Sequence, residues 1–447
     1  MRMIKSVHLG MFGTLGLLAT APAVAAVVAD QSSSKGFIAD STASLLLRNY
    51  YFNREFRDGA SNNFGSSRSG YRQEWAQGFF GTYKSGFTEG TVGFGVDALG
   101  KFGLKLDGGG GHTGTWLLPI NGERKSDSNY FGGGGSIKAR ISKTQIAYGD
   151  VIPTNPVFFS DIGGRLFPQI ARGWQILSSD VPQAELEAGR FTSGMAGSRT
   201  AHDILRSSYG AREISMFQYA GGAYNLSKAW DASFYAAEAQ DMWRQYYFGT
   251  NYTLPLAPKQ KLHFSFNAYR SLDTGEALAG KIKGTIASFG MSYTYAAHTF
   301  SAAIQKNDSN TPFDYVGFAD GKSSISSMLA MPMLVDEFQG PNEKVWQLRY
   351  DLDLATYGIP GLSFSVRYQS GRGDSNGVDP TGDYAHLYGG KTRHWERDTD
   401  IKYVVQSGPV KNLNIRLRHA MSRENSAQPL KDIDEVRIIL EYPIKLF

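Results

Sequence analysis

The sequence predicts an all-β protein, a transmembrane antiparallel up-and-down β-barrel of about 18 strands with long extracellular loops and one inward-folded constriction loop. The 447 residues include 52 Gly, 27 Phe, 24 Tyr and 7 Trp, a composition typical of aromatic-rich, turn-rich β proteins. Apolar and polar residues alternate with period two in many short segments. After residue 30 no apolar run is long enough for a spanning helix, so this chain would have to cross a membrane as a closed barrel.

The N-terminus has the pattern of an export signal. Arg2 and Lys5 form a basic start, residues 11–21 an apolar stretch, and Ala23-Val24-Ala25 a cleavage site of the A-x-A type. A single membrane anchor is the alternative, but the apolar stretch is short and no stop-transfer pattern follows it. We therefore predict a signal peptide at residues 1–25 and one barrel domain at residues 26–447.

Strands are predicted wherever the alternation is continuous. In the last hairpin, Val436, Ile438 and Leu440 share one face while Arg437 and Glu441 share the other. The eighteen segments are Ala43–Phe52, Tyr71–Ser85, Gly90–Leu106, Gly135–Ser142, Thr144–Gly149, Gly173–Ser178, Ala184–Phe191, Arg212–Leu226, Ala229–Gln240, Met242–Leu254, Lys261–Arg270, Ile282–Tyr295, Thr299–Lys306, Glu343–Leu354, Leu362–Ser370, Thr399–Gln406, Asn412–Ala420 and Glu435–Tyr442.

The connections between these segments alternate between short turns and long polar loops, the asymmetry of bacterial outer-membrane barrels. Several apolar faces also end in aromatic residues, among them Trp75, Trp346 and Tyr442, as expected at the two lipid interfaces. A soluble β-sandwich is the alternative, in which these faces would form an ordinary core. The many long connections argue against it, because compact soluble domains seldom contain so many.

The inward faces of the predicted strands are rich in cations. Because consecutive strands are neighbours in such a barrel, the cations of the last strands would form a row along one side of the lumen, continued by the first strand. The predicted basic ladder comprises Arg48, Lys138, Arg140, Arg349, Arg367, Lys402, Arg416, Arg418 and Arg437. A row of guanidinium groups with few acids beside it would attract carboxylates and pass them along. Alternatively, these arginines pair with Asp351, Asp353, Glu441 and loop acids and make the lumen rigid.

One long loop is unusually apolar for an exposed segment. It runs from Val151 through Phe158, Phe159 and Asp161 to Arg165 and on to Gln169. Such a loop could fold inward and narrow the pore, and these four residues from Phe158 to Arg165 are its predicted constriction residues. The alternative is an extracellular patch that contacts neighbouring subunits.

Composition narrows the function classes. The chain has no Cys and eight scattered His without metal-ligand spacing, so we predict no metal site and no cofactor. Without Arg2 and Lys5 the formal net charge falls from +5 to +3, too small an excess to indicate nucleic-acid binding. The sequence has no G-x-S-x-G motif. An outer-membrane enzyme of the lipase or esterase type is the alternative to a porin, and a structural or adhesive barrel is a third possibility.

Six stretches resemble the OprD (Occ) family of outer-membrane porins. They are residues 36–41, 45–54, 90–97, 140–144, 165–169 and 403–409, with Arg165-Leu166-Phe167-Pro168-Gln169 among them. The resemblance covers essentially the whole mature chain. It implies an eighteen-stranded substrate-specific channel of a Pseudomonas-like Gram-negative bacterium, with a constricting third loop and a basic ladder that maps onto Arg140, Arg416, Arg418 and Arg437.

The resemblance also implies the class of solute. Family members pass basic amino acids and peptides, with carbapenems entering by the same route, or benzoate-like cyclic carboxylates. In the amino-acid branch the seventh long loop supplies an acidic pocket. Here Asp336 and Glu337 are the candidate acids, and Asp314 lies in a stretch that resembles that branch, while Pro332 and Val335 stand where polar groups would be expected.

We therefore expect passive diffusion of small carboxylate-bearing solutes, with no enzymatic activity. The expected partners are these solutes, outer-membrane lipid and lipopolysaccharide, and the barrel-assembly machinery. A weak homotrimer and the choice between basic amino acids and aromatic acids are left open by the sequence.

Overall fold

The computed structural model describes residues 27–65, 69–160, 163–318, 329 and 331–447. Eighteen long strands, numbered here β1 to β18, form its main sheet. They are Thr42–Phe56, Tyr71–Lys84, Val92–Asp107, Asn129–Ile141, Thr144–Val151, Ile170–Ser178, Ala184–Met195, Phe217–Asn225, Trp230–Ala239, Trp243–Ala257, Gln260–Asp273, Lys283–Tyr295, His298–Asp308, Lys344–Asp353, Leu362–Asp374, Lys391–Val404, Asn414–Glu424 and Ile433–Lys445.

The sheet closes on itself. Each strand pairs antiparallel with the next along the chain, and β1 also pairs with β18, from Ser44 opposite Lys445 to Phe56 opposite Ile433. Closure leaves no sheet edge, which a barrel in lipid requires because water is not there to satisfy an open edge. The predicted closed antiparallel barrel of about eighteen strands is confirmed.

The two faces of the wall are inverted relative to a soluble protein. On β13 and β14, Phe300, Ile304 and Leu348 are 54%, 61% and 56% exposed, whereas the alternating polar residues Gln305 and Gln347 are buried. Large apolar side chains on the outside and polar ones on the inside are the pattern of a wall between lipid and an aqueous lumen. The alternative of a soluble β-sandwich is therefore not supported.

Two strands begin well before their predicted starts, and both have a local reason. The fourth begins at Asn129 rather than Gly135, because the glycine run 132–135 has no side chains that could show an alternation. The sixteenth begins at Lys391 rather than Thr399, because charged residues such as Arg397 and Asp398 occupy both of its faces there. The connection between the fifteenth and sixteenth strands, predicted at residues 371–398, is therefore shorter and runs over residues 375–390.

Short connections at one end of the barrel alternate with longer ones at the other end. The long-loop end includes loop 3 (residues 152–169), loop 4 (196–216), loop 7 (309–343) and loop 8 (375–390), numbered by their order at that end. Five short strands lie within the loops: Thr154–Asn155, Phe158–Phe159, Asp203–Ser207, Glu213–Ile214 and Val316–Gly317. The last of these pairs with Asp203–Ser207, so loops 4 and 7 are joined by hydrogen bonds.

Helices contribute little to the fold. The described residues contain two short 3-10 helices, Gln31–Ser33 and Leu354–Tyr357. Among these residues no helix has the length and apolar character needed to span a membrane. The predicted signal peptide, residues 1–25, lies outside the described residues.

Candidate functional site: a constricted pore with a basic row

Loop 3 crosses the interior of the barrel. On one side Arg48 of β1 donates to the carbonyls of Arg165 and Leu166 at 2.6 and 3.2 Å. On the far side the Tyr269 hydroxyl of β11 donates to the Pro156 carbonyl at 2.8 Å. Because β1 and β11 lie in well-separated parts of the ring, the loop spans the lumen and narrows the pore.

The inward path of loop 3 follows from its apolar sequence. The Phe158 side chain is 1% exposed and packs against Phe191, Phe217 and Phe318, with ring centroids 4.9, 5.4 and 5.9 Å apart. Three aromatic partners around a buried phenyl ring remove a large apolar area from water. The Phe158 ring therefore anchors the loop to the inner wall.

The inner faces of β16, β17, β18 and β1 bring cations together around shared carboxylates. Asp400 accepts hydrogen bonds from both Arg416 and Arg418 at 2.9 Å. Glu435 accepts from Arg54 at 2.6 Å and also from Arg437. A guanidinium has five N–H donors and a carboxylate about four acceptor sites, so each shared carboxylate meets more donors than it can satisfy.

Further cations surround these two shared pairs. Arg48 pairs with Glu441 at 2.6 Å. Arg437 and Arg165 both lie over the Phe52 ring, with guanidinium carbons 4.6 and 5.2 Å from its centroid. Burial lowers the pKa of Arg165, and repulsion from Arg437 acts in the same direction. An arginine has so high a starting pKa that it stays charged, and the region keeps an excess of positive charge.

Loop 7 directly contacts the cations of this inner wall. We call Arg48, Arg416, Arg418 and Arg437 the basic row. The Leu334 carbonyl accepts a hydrogen bond from Arg437 at 2.8 Å. The backbone N–H groups of Leu334, Val335 and Asp336 all donate to Glu396 of β16, at 2.9, 2.8 and 2.9 Å. The loop 7 segment at residues 334–336 is thereby fixed against the wall. Asp336 and Glu337 follow Leu334, the residue that contacts Arg437, closely in the chain.

Two tyrosine hydroxyls define the surroundings of Glu337. Tyr209 of loop 4 donates to its carboxylate at 2.7 Å, and Tyr315 of loop 7 donates to its other oxygen. Burial, followed by the charge of Glu337, raises the pKa of both tyrosines well above 10.0. Both hydroxyls therefore keep their protons and donate to the Glu337 carboxylate.

A histidine of β16 holds the other acids of this region. His394 contacts Asp336 through Nδ1 and Glu343 through Nε2, and Phe338 stacks on its ring at 3.9 Å. Ligand atoms of Asp336, His394 and Glu424 lie within 4.8 Å of one another and could hold a cation. However, both ring nitrogens already face carboxylates, which requires a doubly protonated imidazole. The geometry favours an ion-pair network over a metal centre.

Comparison with known proteins identifies the family of this barrel. The family model described as "outer membrane porin, OprD family" matches residues 35–446. The chain belongs to the OprD family of outer-membrane porins. It is 46% identical to Porin D of Pseudomonas aeruginosa over 94% of each chain. It is 32% identical to the porin-like protein GalP of Pseudomonas putida, over 95% of this chain and 97% of that one.

Solved structures agree with this membership. A crystal structure of P. aeruginosa OprD has a TM-score of 0.82 and 44% identity, covering 94% of this chain and 99% of that chain. The crystal structure of P. aeruginosa OpdK with vanillate has a TM-score of 0.80 and 31% identity, covering 92% of this chain and all of that chain. These homologues are channels, so the alternative of an outer-membrane enzyme is not supported.

The porin fold brings part of the predicted ladder together. Arg48, Lys402, Arg416, Arg418 and Arg437 line adjacent strands around Asp400, Glu435 and Glu441. Arg349 and Arg367 stand directly opposite each other on β14 and β15, each with its own acid, Asp351 and Asp398.

Two predicted ladder residues lie in a different environment. Lys138 pairs with Asp97 at 2.5 Å, and Arg140 donates to Gln31 of the N-terminal segment at 2.9 Å. Both cations also lie over the Phe87 ring. They share the inward orientation of the other cations, but at the short-turn end Arg140 fastens the N-terminal segment and Lys138 joins β4 to β3.

Three further predicted residues belong to loops 7 and 3. Asp314 is 4% exposed and joins three loops, accepting from the backbone of Tyr209 and Gly210 and from the Tyr384 hydroxyl. Its carboxylate therefore holds these loops together, and its role in a pocket for solute stays a prediction. Phe159 is half-buried beside Phe158, and Asp161 lies outside the described residues.

The expectation of few acids beside the arginines is wrong, because Asp398, Asp400 and Glu435 all point inward among them. The sequence did contain this signal. Asp398 and Asp400 have the same parity as Lys402, and Glu435 has the same parity as Arg437. Tyr209 and His394 had no comparable signal, since their partners come from other loops and strands.

Proposed function

We propose that this porin lets small carboxylate-bearing solutes diffuse passively through an arginine-lined constriction. The sharing of Asp400 and Glu435, each between two arginines, is the observation that supports this proposal. Arginine forks bind carboxylates in a bidentate manner, and a solute carboxylate would compete with the shared carboxylate for one of its two arginines.

Partial pairing also suits passage through the pore. A channel needs binding that is favourable enough for entry yet weak enough for exit, with several adjacent sites. Arg48, Arg416, Arg418 and Arg437 each have an acid already in place, so a solute exchanges one carboxylate contact for another. The wall acids thereby moderate the attraction that a purely basic row would exert.

The loop 7 side supports a second requirement on the solute. Glu337, held by Tyr209 and Tyr315, and Asp336 give this side a negative character. A basic amino acid or a peptide would place its carboxylate on the basic row and its cationic end there. An aromatic acid would use the basic row alone, and the OpdK structure contains such a molecule, vanillate.

An uptake panel with matched solutes tests the carboxylate proposal. Liposomes containing the full-length mature porin would be given arginine and agmatine, which differ by one carboxylate, and benzoate and benzamide, which differ by charge. We expect the carboxylate member of each pair to enter about tenfold faster, as one charge-assisted contact predicts. Equal rates within both pairs would contradict the proposal.

Export completes the proposed function. We infer that residues 1–25 are removed and that the barrel-assembly machinery inserts the mature chain into the outer membrane, with lipopolysaccharide around it and a weak homotrimer as the state to be tested. The mass of the purified porin checks the first step, since a chain that retained residues 1–25 would contradict it.

A further inference from the structure

A second row of cations lies on the outside of the barrel. Lys306, Lys344, Arg372 and Arg393 belong to the four adjacent strands β13 to β16, near the long loops. The register places Lys306 directly opposite Lys344, Lys344 opposite Arg372, and Arg372 opposite Arg393. Neighbouring strands are about 4.8 Å apart, so the four side chains form a continuous band around this part of the wall.

The band faces away from the lumen. All four residues are exposed, and the residues beside them in the chain, such as Gln305, Val345 and Thr392, are buried on the inner side. It is therefore distinct from the basic row that we place in the pore.

An aromatic cluster fixes the depth of this band in the membrane. Two residues closer to the membrane centre on the same faces lie Trp346 and Trp395, with Tyr368 between them at ring distances of 5.5 and 5.7 Å. Aromatic rings of this kind mark the lipid interface. Two residues along a strand correspond to about 7 Å, which places the band at the level of the lipid headgroups.

The charges of the band are poorly compensated. Like charges directly opposite each other on neighbouring strands are destabilising. Lys306 pairs with Asp308 at 2.9 Å, but no acid among the described residues forms an ion pair with Lys344, Arg372 or Arg393. Asp374 stands one row farther out, opposite Lys391. A row of four cations with one paired acid is stabilised by an anionic ligand.

We propose that this outer row binds the phosphate groups of lipid A, the phosphorylated lipid of the outer leaflet. The long loops of such barrels are extracellular, so the row faces that leaflet. The guanidinium groups of Arg372 and Arg393 can hold phosphate in a bidentate manner, and Lys344 adds a point charge. The acyl chains then run along the apolar surface formed by Ile304, Trp346 and Leu348.

Titration with purified lipid A tests the assignment. The full-length mature porin in detergent micelles would be titrated with bisphosphorylated lipid A and with its dephosphorylated form. We expect the wild-type porin to prefer the phosphorylated form. The variant K344Q/R372Q/R393Q should bind it on the order of a hundredfold more weakly, because each cation near an anionic headgroup contributes about one fivefold step.

A matched control removes three cations elsewhere. Lys143, Lys228 and Lys259 are exposed in three of the short turns, and K143Q/K228Q/K259Q should keep wild-type affinity. Conductance of the K344Q/R372Q/R393Q variant should also be unchanged, which separates this proposal from the one on solute passage.

Three results would overturn the assignment. The first is equal affinity of the wild-type porin for the two forms of lipid A, a measurement that needs no variant. The second is an equal loss of affinity in both triple variants. The third is a change of oligomeric state in K344Q/R372Q/R393Q without a change in lipid A binding, since the row would then be an interface between copies of this chain.

Discussion

Two groups of cations on the inner wall of this porin have the same alternation in sequence but different partners. Arg416 and Arg418 share one carboxylate, that of Asp400. Lys138 has Asp97 to itself, and Arg140 is bonded to Gln31 and stacked on Phe87. Inward orientation alone therefore does not decide which partners a cation has.

The difference lies in the ratio of donors to acceptors. A cation with its own partner and a buried aromatic ring is satisfied and makes the structure rigid. Two arginines on one carboxylate can exchange that shared contact for one with a passing anion. Removing the cations of each group in turn tests this contrast.

The largest effect is expected from removing the shared pair. In R416A/R418A the Asp400 carboxylate loses both of its cations and repels solute carboxylates. We expect uptake of benzoate to fall by at least about tenfold and the anion preference in planar-bilayer recording to be lost.

The contrasting variant is K138M/R140M. We expect it to lower the thermal unfolding temperature, because the Arg140–Gln31 hydrogen bond and the Lys138–Asp97 ion pair are lost, and to leave ion selectivity close to that of the wild-type porin. Unchanged ion selectivity in R416A/R418A would contradict the expected role of the shared pair. Loss of ion selectivity in K138M/R140M would contradict the expected structural role of the other group.

A smaller and more selective effect is expected at Glu337. In E337Q the amide oxygen can accept from one of the two tyrosine hydroxyls and the NH2 group can donate to the other, but the negative charge is absent. We expect arginine uptake to slow by about tenfold while benzoate uptake stays the same. Equal slowing of the two solutes in liposomes would show that loop 7 does not distinguish them.

The smallest effect is expected at the loop junction around Asp314. Burial raises the pKa of this carboxyl from 3.8, although the N–H groups of Tyr209, Gly210 and Tyr315 act in the opposite direction. The folded protein therefore holds the proton to higher pH than the unfolded chain does. The stability that this group contributes is complete below 3.8 and is lost as the pH rises through the folded pKa.

Hydrogen exchange at the amides of Tyr209 and Tyr315, corrected for intrinsic rates, measures this dependence. We expect protection to decrease as the pH rises from about 3 to about 7. In D314N the dependence should disappear while overall protection falls, because one acceptor oxygen becomes a donor group. A wild-type profile that rises with pH would contradict the assigned direction.

The alternation of residues, with no apolar run long enough for a spanning helix, predicted a barrel of about eighteen strands and, wherever it is continuous, the face of each strand that meets lipid. Period two is a local property of extended chain, so Trp346 and Gln347 report their own faces without knowledge of any partner. The aromatic and glycine content and the spacing of turns are equally local.

Only the tertiary structure decided which acid each arginine meets. Asp400 lies opposite Arg418 because of the register between β16 and β17, and Arg54 reaches Glu435 because the barrel closes. Register and closure depend on pairing across the whole ring, and the path of loop 3 depends on where Phe158 finds aromatic neighbours. Contacts between residues far apart in the chain leave no periodic trace in it, so parity places Asp400 and Glu435 on the inner face but does not say which arginines share them.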